Sequence, residues 1–196
     1  MVFILELIGT VAFALSGAML GVRKKMDLLG VVILGMTTAV GGGIIRDLIL
    51  GITPPMAFRH PVYALLAVGV SLLTFLPGIS GWINLNSAPV MVMDAVGLGI
   101  FTVIGVQAAA DFDNVFLSVF VGTLTGVGGG VLRDLFAGDQ PSIFVRHFYA
   151  CASIAGALVC ALVWGLNADL AMSLGAATVI VLRILAAKHK WNLPRA

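Results

Sequence analysis

Charged residues are scarce in this chain, and their scarcity excludes a soluble domain. Of the 196 residues only 10% are charged, whereas 60% are hydrophobic and the mean hydropathy is +1.12. The apolar share of a soluble domain is nearer half. No polar stretch is long enough to fold by itself, and the small net charge of +2 argues against a nucleic-acid surface. The composition therefore predicts an integral membrane protein that does not bind nucleic acid.

The sequence also lacks the residue patterns that mark common enzyme sites. It has only two cysteines, Cys151 and Cys160, which share one apolar segment, and no closely spaced His and Cys residues suggest a zinc site. No Gly-x-Ser-x-Gly elbow is present, and neither glycine run follows a strand as a dinucleotide-binding loop would. We therefore expect no enzymatic activity and no cofactor.

Long apolar runs are what the sequence does contain. They extend over roughly 17 to 25 residues, the length that crosses a bilayer as an α-helix. The first run has basic residues after it rather than before it, which predicts a mature helix and not a signal peptide. The seven predicted spans cover residues 2–22, 28–50, 61–79, 89–110, 115–137, 148–165 and 169–187. The predicted fold class is an all-α integral membrane protein with seven transmembrane helices.

An internal repeat relates the two halves of the chain. An offset of 87 residues carries Gly41-Gly42-Gly43-x-x-Arg46-Asp47 onto Gly128-Gly129-Gly130-x-x-Arg133-Asp134, with further identities on both sides. Nearer the start of each half the offset is 88, which sets Glu6 on Asp94. Because each half holds three spans, the second half must enter the membrane from the opposite side. The prediction is one transmembrane domain made of an inverted 3+3 repeat (1–80 and 88–165), an extra helix (169–187) and a tail (188–196).

The distribution of Lys and Arg predicts the orientation of these spans. Basic residues are concentrated at one set of span ends, whereas the other set carries Arg59 with three aspartates. The basic residues of the first set are Arg23, Lys24, Lys25, Arg146, Lys188, Lys190 and Arg195. The positive-inside rule then places the N-terminus outside and the C-terminus in the cytoplasm. We expect a multi-pass protein of the cell's inner membrane, in contact with lipid.

The triple glycines have two interpretations. Glycine is a poor helix former, by about 1 kcal/mol per residue relative to alanine, so three in succession predict breaks in the second and fifth helices. A broken helix would release carbonyl oxygens that coordinate a monovalent cation, here those of Gly41, Gly42, Gly128 and Gly129. Alternatively, the glycines only allow helices to pack closely. Thr38 and Thr125 precede the glycines and either line a polar path or donate to their own helices.

Each motif also places an arginine and an aspartate where lipid tolerates neither. An Arg or Asp near the bilayer centre costs about 2.5 to 3.5 kcal/mol on insertion scales, so these groups should face protein or water. Glu6 is level with Arg46, and Asp94 with Arg133, which predicts two symmetry-related ion pairs, one at each mouth of a polar path. The motif aspartates point about 100° away from the neighbouring arginines on a helix, so we expect them to face a cation. The candidates on the pore side are Arg46, Asp47, Arg133 and Asp134.

Paired Gly-Gly-Gly-x-x-Arg-Asp motifs in the second and fifth of seven spans resemble those of the prokaryotic trimeric intracellular cation channels, whose relatives are also described as glycine transporters. The resemblance covers essentially all 196 residues. It implies a homotrimer in which each subunit has its own pore, with potassium as the main permeant ion. It also implies kinks at Gly41 to Gly43 and Gly128 to Gly130, with the following Arg and Asp residues on the pore side.

Two classes of function remain open from the sequence. A passive channel for potassium or sodium needs a continuous wet path, whereas a secondary transporter for a small solute such as glycine needs a closed site that opens to each side in turn. Inverted repeats serve both classes. No second cluster of acidic residues within the spans is available for proton coupling, which favours the channel.

Overall fold

The computed structural model describes residues 1–83, 88–145 and 148–191, and these residues form helices and no strands. Arg146 and residues 192–196, which the sequence places on the cytoplasmic side, lie outside the described residues. In chain order the helices are α1 (Val2–Arg23), α2 (Leu28–Ile49), α3 (Met56–Arg59), α4 (Val62–Phe75), α5 (Pro77–Ile83), α6 (Ala88–Ala108), α7 (Val115–Phe136), α8 (Ser142–Val145), α9 (Tyr149–Val163) and α10 (Ala168–His189). A 3₁₀ turn at Ala110–Phe112 leads from α6 towards α7.

Five of the described helices are long and apolar enough to cross a membrane. They are α1, α2, α7, α10 and α6 together with the 3₁₀ turn that follows it. The predicted third and sixth spans correspond to α4 and α9, which have 14 and 15 residues. At 1.5 Å per residue these two helices are roughly 21 to 23 Å long, shorter than a hydrocarbon core of about 30 Å. Helices therefore lie at all seven predicted positions, and for α4 and α9 a full crossing stays a prediction.

The ends of α2 and α7 are set by matching local signals. Asp27 caps the start of α2 by accepting a hydrogen bond from Gly30 N at 2.7 Å, and Asn114 caps α7 by accepting from Leu117 N at 3.0 Å. Just beyond the two helices, Gly51 and Gly138 adopt φ angles of 70° and 71°, which glycine adopts without strain. These turns bring the following chain back over the last turn of each helix.

Both α2 and α7 continue without interruption through their triple glycines, which corrects the predicted helix breaks. The two helices cross where Gly42 lies against Gly129. A Cβ atom on Gly42 would lie 2.3 Å from the Thr125 carbonyl oxygen, and one on Gly129 would lie 2.2 Å from the Thr38 carbonyl oxygen. Only glycine permits an approach this close. The interhelical contact therefore outweighs the low helix propensity of glycine, as tertiary packing often does.

A second reciprocal contact joins α1 to α6, the first long helices of the two halves. Phe13 stacks on Phe101 with ring centroids 5.2 Å apart. Phe13 also fills the space over Gly97, where an added Cβ would meet its ring at 2.1 Å, and Phe101 lies over Gly9 at 3.1 Å. The offset of 88 carries Gly9 onto Gly97 and Phe13 onto Phe101. The centre of the molecule is thus a buried apolar core in which each half makes the same contact with the other.

Candidate functional site

The first group of polar residues lies where the end of α2 meets the starts of α1 and α4. Arg46 donates from Nε to Asp47 Oδ1 at 2.8 Å, and the other carboxylate oxygen of Asp47 accepts from Met56 N at 2.7 Å. Glu6 Oε2 accepts a hydrogen bond from the Tyr63 hydroxyl. We call these four side chains, Glu6, Arg46, Asp47 and Tyr63, the Glu6 cluster. They surround a cavity of about 40 Å³, the Glu6 cavity, which has room for water or a small ion.

The predicted ion pair between Glu6 and Arg46 does not form. Both side chains line the Glu6 cavity, but among the described ion pairs Arg46 joins Asp47 and none joins Glu6. The prediction rested on equal depth in the membrane. Asp47 is nearer because it follows Arg46 directly in the chain, and the guanidinium folds back to reach it. Glu6 therefore takes a tyrosine hydroxyl as its partner.

The second group lies at the end of α7, beside the start of α6. Arg133 Nη1 lies 2.5 Å from Asp94 Oδ1, so the structure brings together the two residues that the sequence paired. The same guanidinium donates from Nε to Asp134 Oδ1 at 2.9 Å and from Nη1 to Ser16 Oγ at 2.7 Å. Asp134 Oδ2 accepts from Ser142 N at 2.7 Å, as Asp47 does from Met56. The side chains of Arg133 and Asp94 are each only 6% exposed.

Two further side chains complete this second group. The Tyr149 hydroxyl donates to Asp94 Oδ1 at 3.2 Å. Arg183, from α10, places Nη2 3.7 Å from Asp94 Oδ2 and its guanidinium carbon 4.6 Å from the centre of the Tyr149 ring. Arg183 thus makes an ion pair with Asp94 and a cation–π contact with Tyr149. We call the five residues Asp94, Arg133, Asp134, Tyr149 and Arg183 the Asp94 cluster.

The motif aspartates are bonded within the protein, whereas the sequence predicted them to be free to face a cation. Both carboxylate oxygens of Asp47 and of Asp134 accept hydrogen bonds from the preceding arginine and from a backbone N–H. The angle of about 100° holds for the Cα–Cβ bonds of neighbouring helical residues, but a long arginine side chain spans that angle. Each Arg-Asp pair therefore anchors the loop that follows its helix.

The glycine carbonyls and the threonines are also placed differently from the prediction. Gly41, Gly42, Gly128 and Gly129 lie within continuous helices, where carbonyl oxygens accept bonds from N–H groups four residues later. These oxygens are therefore engaged within their helices and are not released by a helix break as the sequence predicted. Their neighbours Thr38 and Thr125 donate to Leu34 O and Val121 O at 2.6 Å and are fully buried, so they bond to their own helices and line no path.

A larger polar cavity lies beside the Asp94 cluster. It measures about 420 Å³ and is lined by Arg133 and Asp134 together with Arg23, Lys24 and Asp139; we call it the Arg133 cavity. Lys24 Nζ and Asp139 Oδ1 lie 2.5 Å apart at its edge. The Glu6 and Arg133 cavities share no lining residue. The described residues contain no group of three or more His, Cys, Asp or Glu that could hold a metal ion.

Sequence reasoning missed three members of the two clusters, Tyr63, Tyr149 and Arg183, and also missed Ser16, which accepts a hydrogen bond from Arg133. Arg183 was detectable as a lone charge inside a predicted span, since such residues are rarely without function. The tyrosines were hidden because the offset of 87 carries Tyr63 onto Ala150, one residue beyond Tyr149. The repeat comparison therefore did not align two side chains that make the same contact.

A family model described as glycine transporter matches the chain twice, over residues 3–77 and 91–165. The Escherichia coli K12 inner membrane protein YadS, of the UPF0126 proteins, is 35% identical over 198 residues that cover 99% of this chain and 95% of its own length. A solved TRIC cation channel is 42% identical, with a TM-score of 0.88 over 98% of this chain and 96% of that one. The trimeric intracellular cation channel orthologue from Rhodobacter sphaeroides is 32% identical, with a TM-score of 0.88 over 97% and 98%. Both solved relatives are described as channels and not as enzymes. The chain therefore belongs to the prokaryotic TRIC channel family, which includes the UPF0126 membrane proteins.

Proposed function

We propose that this protein is a monovalent cation channel, with potassium as its main ion and a pore within each subunit. The main support for the proposal is the pair of charged clusters, because each cluster lines its own cavity. The two clusters lie at the ends of α2 and α7, which cross in the apolar core. Buried charges at membrane depth are expensive and persist mainly where they serve an ion path. The description of the solved relatives as cation channels supports the same activity.

The path would follow the two halves of an inverted repeat. α2 ends beside the start of α1, since Arg46 and Glu6 line the same cavity. α7 ends near the end of α1, since Arg133 and Arg23 line the same cavity. The clusters therefore lie towards opposite ends of α1. The two cavities share no lining residue, so conduction requires a connection to open between them, and we expect it where α2 and α7 cross at Gly42 and Gly129.

A homotrimer in the inner membrane is part of the proposal. The R. sphaeroides relative is named a trimeric channel, and the E. coli relative an inner membrane protein. The N-terminus would lie outside, because Arg23, Lys24 and Lys25 then face the cytoplasm. The Glu6 cavity would accordingly be the outer one and the Arg133 cavity the cytoplasmic one.

Recording from the purified protein in a planar bilayer under a potassium chloride gradient tests the channel. We expect unitary currents that reverse near the potassium equilibrium potential. Glycine flux into proteoliposomes without unitary currents would instead indicate a secondary transporter. That alternative has one observation in its favour, since the Glu6 cavity presents a carboxylate and a guanidinium, the groups that complement the two charges of an amino acid. If neither unitary currents nor glycine flux is observed, both activities are excluded.

Among the described ion pairs, Arg46 pairs with Asp47 and none joins Glu6, so neutralising Glu6 should weaken cation entry. We expect Glu6→Gln to lower the potassium conductance about two- to tenfold at low ionic strength, because a charged cavity raises the local cation concentration. Glu6→Asp keeps the charge and serves as the matched control. The loss should shrink at high salt, where the charge is screened. Equal conductance of Glu6→Gln and the native protein at low salt would contradict this role.

A further inference from the structure

The two clusters share a plan but differ in two respects: Arg133 also pairs with Asp94, whereas Arg46 does not pair with Glu6, and the Asp94 cluster has one added residue. In both, an acid from the first helix of the half accepts a bond from a tyrosine at the start of the third helix, Tyr63 to Glu6 and Tyr149 to Asp94. In both, the motif arginine is paired with the motif aspartate. The added residue is Arg183. Two carboxylates thus face one guanidinium in the Glu6 cluster, whereas two carboxylates face two guanidiniums in the Asp94 cluster.

The added charge comes from the helix that the repeat does not contain. α10 packs against α6 at Gly99, where an added Cβ would meet Ala176 O at 2.9 Å. The offset of 88 carries Val11 of α1 onto Gly99. No described helix of the chain covers Val11 in the same way; it lines an open apolar groove of about 520 Å³ with Leu66 of α4. Among the described helices, none takes the position beside the first half that α10 takes beside the second.

Arg183 is buried in contact with two members of the Asp94 cluster. Arg183 is only 4% exposed, and its guanidinium contacts both the Asp94 carboxylate and the face of the Tyr149 ring. Arg133 alone leaves the two carboxylates of the cluster with one net negative charge, which would attract a mobile cation, and the buried Arg183 cancels that charge. Arg23 and Lys24 line the neighbouring Arg133 cavity opposite a single extra acid, Asp139, so the lining does not restore a negative charge.

We propose that Arg183 is a built-in counter-ion that makes the ion path electrically asymmetric. Its guanidinium occupies the position beside Asp94 that a mobile cation would take. The corresponding position beside Glu6 is open to a mobile cation. The path then accumulates monovalent cations at the Glu6 end only, and current through it rectifies. This inference rests on the proposed channel function for the current, but the charge balance itself is a property of the folded protein alone.

Two measurements on Arg183→Gln test the proposal. In planar bilayers with equal potassium chloride on both sides, we expect the rectification ratio to change by about two- to tenfold, because the variant gains a net negative charge at the Asp94 end. In detergent, potassium chloride should raise the melting temperature of the variant above that in N-methyl-glucamine chloride by more than it does for the native protein. The second measurement needs no conduction, so it decides the role of Arg183 even if the native protein carries no current.

Matched variants separate charge from structure. Arg183→Lys keeps the charge and should keep the native rectification, while Arg183→Gln with Asp94→Asn removes one charge of each sign and should restore it. Lys188→Gln removes a positive charge from an exposed position of the same helix, where solvent screens it, and should change neither readout. If Arg183→Gln matches the native protein in its potassium-dependent melting, or if the double variant keeps the altered rectification, the proposal is wrong.

Discussion

Replacing Gly42 with alanine should destabilise the protein by about 1 to 3 kcal/mol or more, the range for overpacked sites. The new methyl group would lie 2.3 Å from the Thr125 carbonyl oxygen, a backbone atom that cannot rotate away. α2 and α7 would have to separate along the whole crossing. The measurement is reversible unfolding of the purified protein in detergent micelles, followed by circular dichroism.

Gly43 provides the matched control for this substitution, in the same helix and one residue away. A Cβ on Gly43 meets only Arg46 Nη2, at 3.9 Å. Gly43→Ala should therefore be neutral or more stable by up to about 1 kcal/mol, the helix propensity gained. Similar losses in both variants would show that the glycines act through backbone freedom and not through the contact between α2 and α7.

Loss of the Arg133 guanidinium should have the largest effect of any single substitution in the two clusters. Arg133→Gln leaves Asp94 and Asp134 buried without their shared cation, and breaking a buried ion pair in this way costs about 3 to 5 kcal/mol. Arg183 still faces Asp94, but no described cation replaces the partner of Asp134. Expression level and unfolding in detergent would both report the loss.

The corresponding change in the first half tests this account. Arg46→Gln removes the cation from Asp47 alone, so we expect it to cost less than Arg133→Gln. Adding Asp94→Asn to Arg133→Gln removes one of the two carboxylates that lose Arg133 as a partner. The double variant should therefore recover part of the lost free energy of unfolding. An equal cost for the two arginines, or no recovery in the double variant, would show that shared pairing does not determine the stability of the Asp94 cluster.

The positions of the helices could be predicted from the sequence because each depends on local features. The span predicted at 28–50 corresponds to the observed helix Leu28–Ile49, and the span predicted at 115–137 corresponds to Val115–Phe136. Capping residues at Asp27 and Asn114 and glycines just past the ends define the same limits. The doubled Gly-Gly-Gly-x-x-Arg-Asp motif also indicated which side chains would lie near the polar cavities.

The state of the glycines could not be predicted, because it depends on what lies opposite them. Three glycines in a row are equally compatible with a broken helix and with a close crossing. The Thr125 carbonyl that selects the crossing belongs to the other half of the chain. Partner choice was uncertain for a similar reason: depth alone made Glu6 the natural partner of Arg46, whereas the flexibility of the arginine side chain selected Asp47.

The reciprocity of the α2–α7 crossing has a consequence for how the halves recognise each other. Gly42 receives the carbonyl of Thr125, and Gly129 receives the carbonyl of Thr38, its counterpart. Each half thus supplies one threonine carbonyl and one glycine to the contact, as the two subunits do in an isologous dimer interface. Two identical half-chains inserted in opposite directions would make this contact twice, so the fold's central joint is self-complementary and needs no sequence difference between the halves.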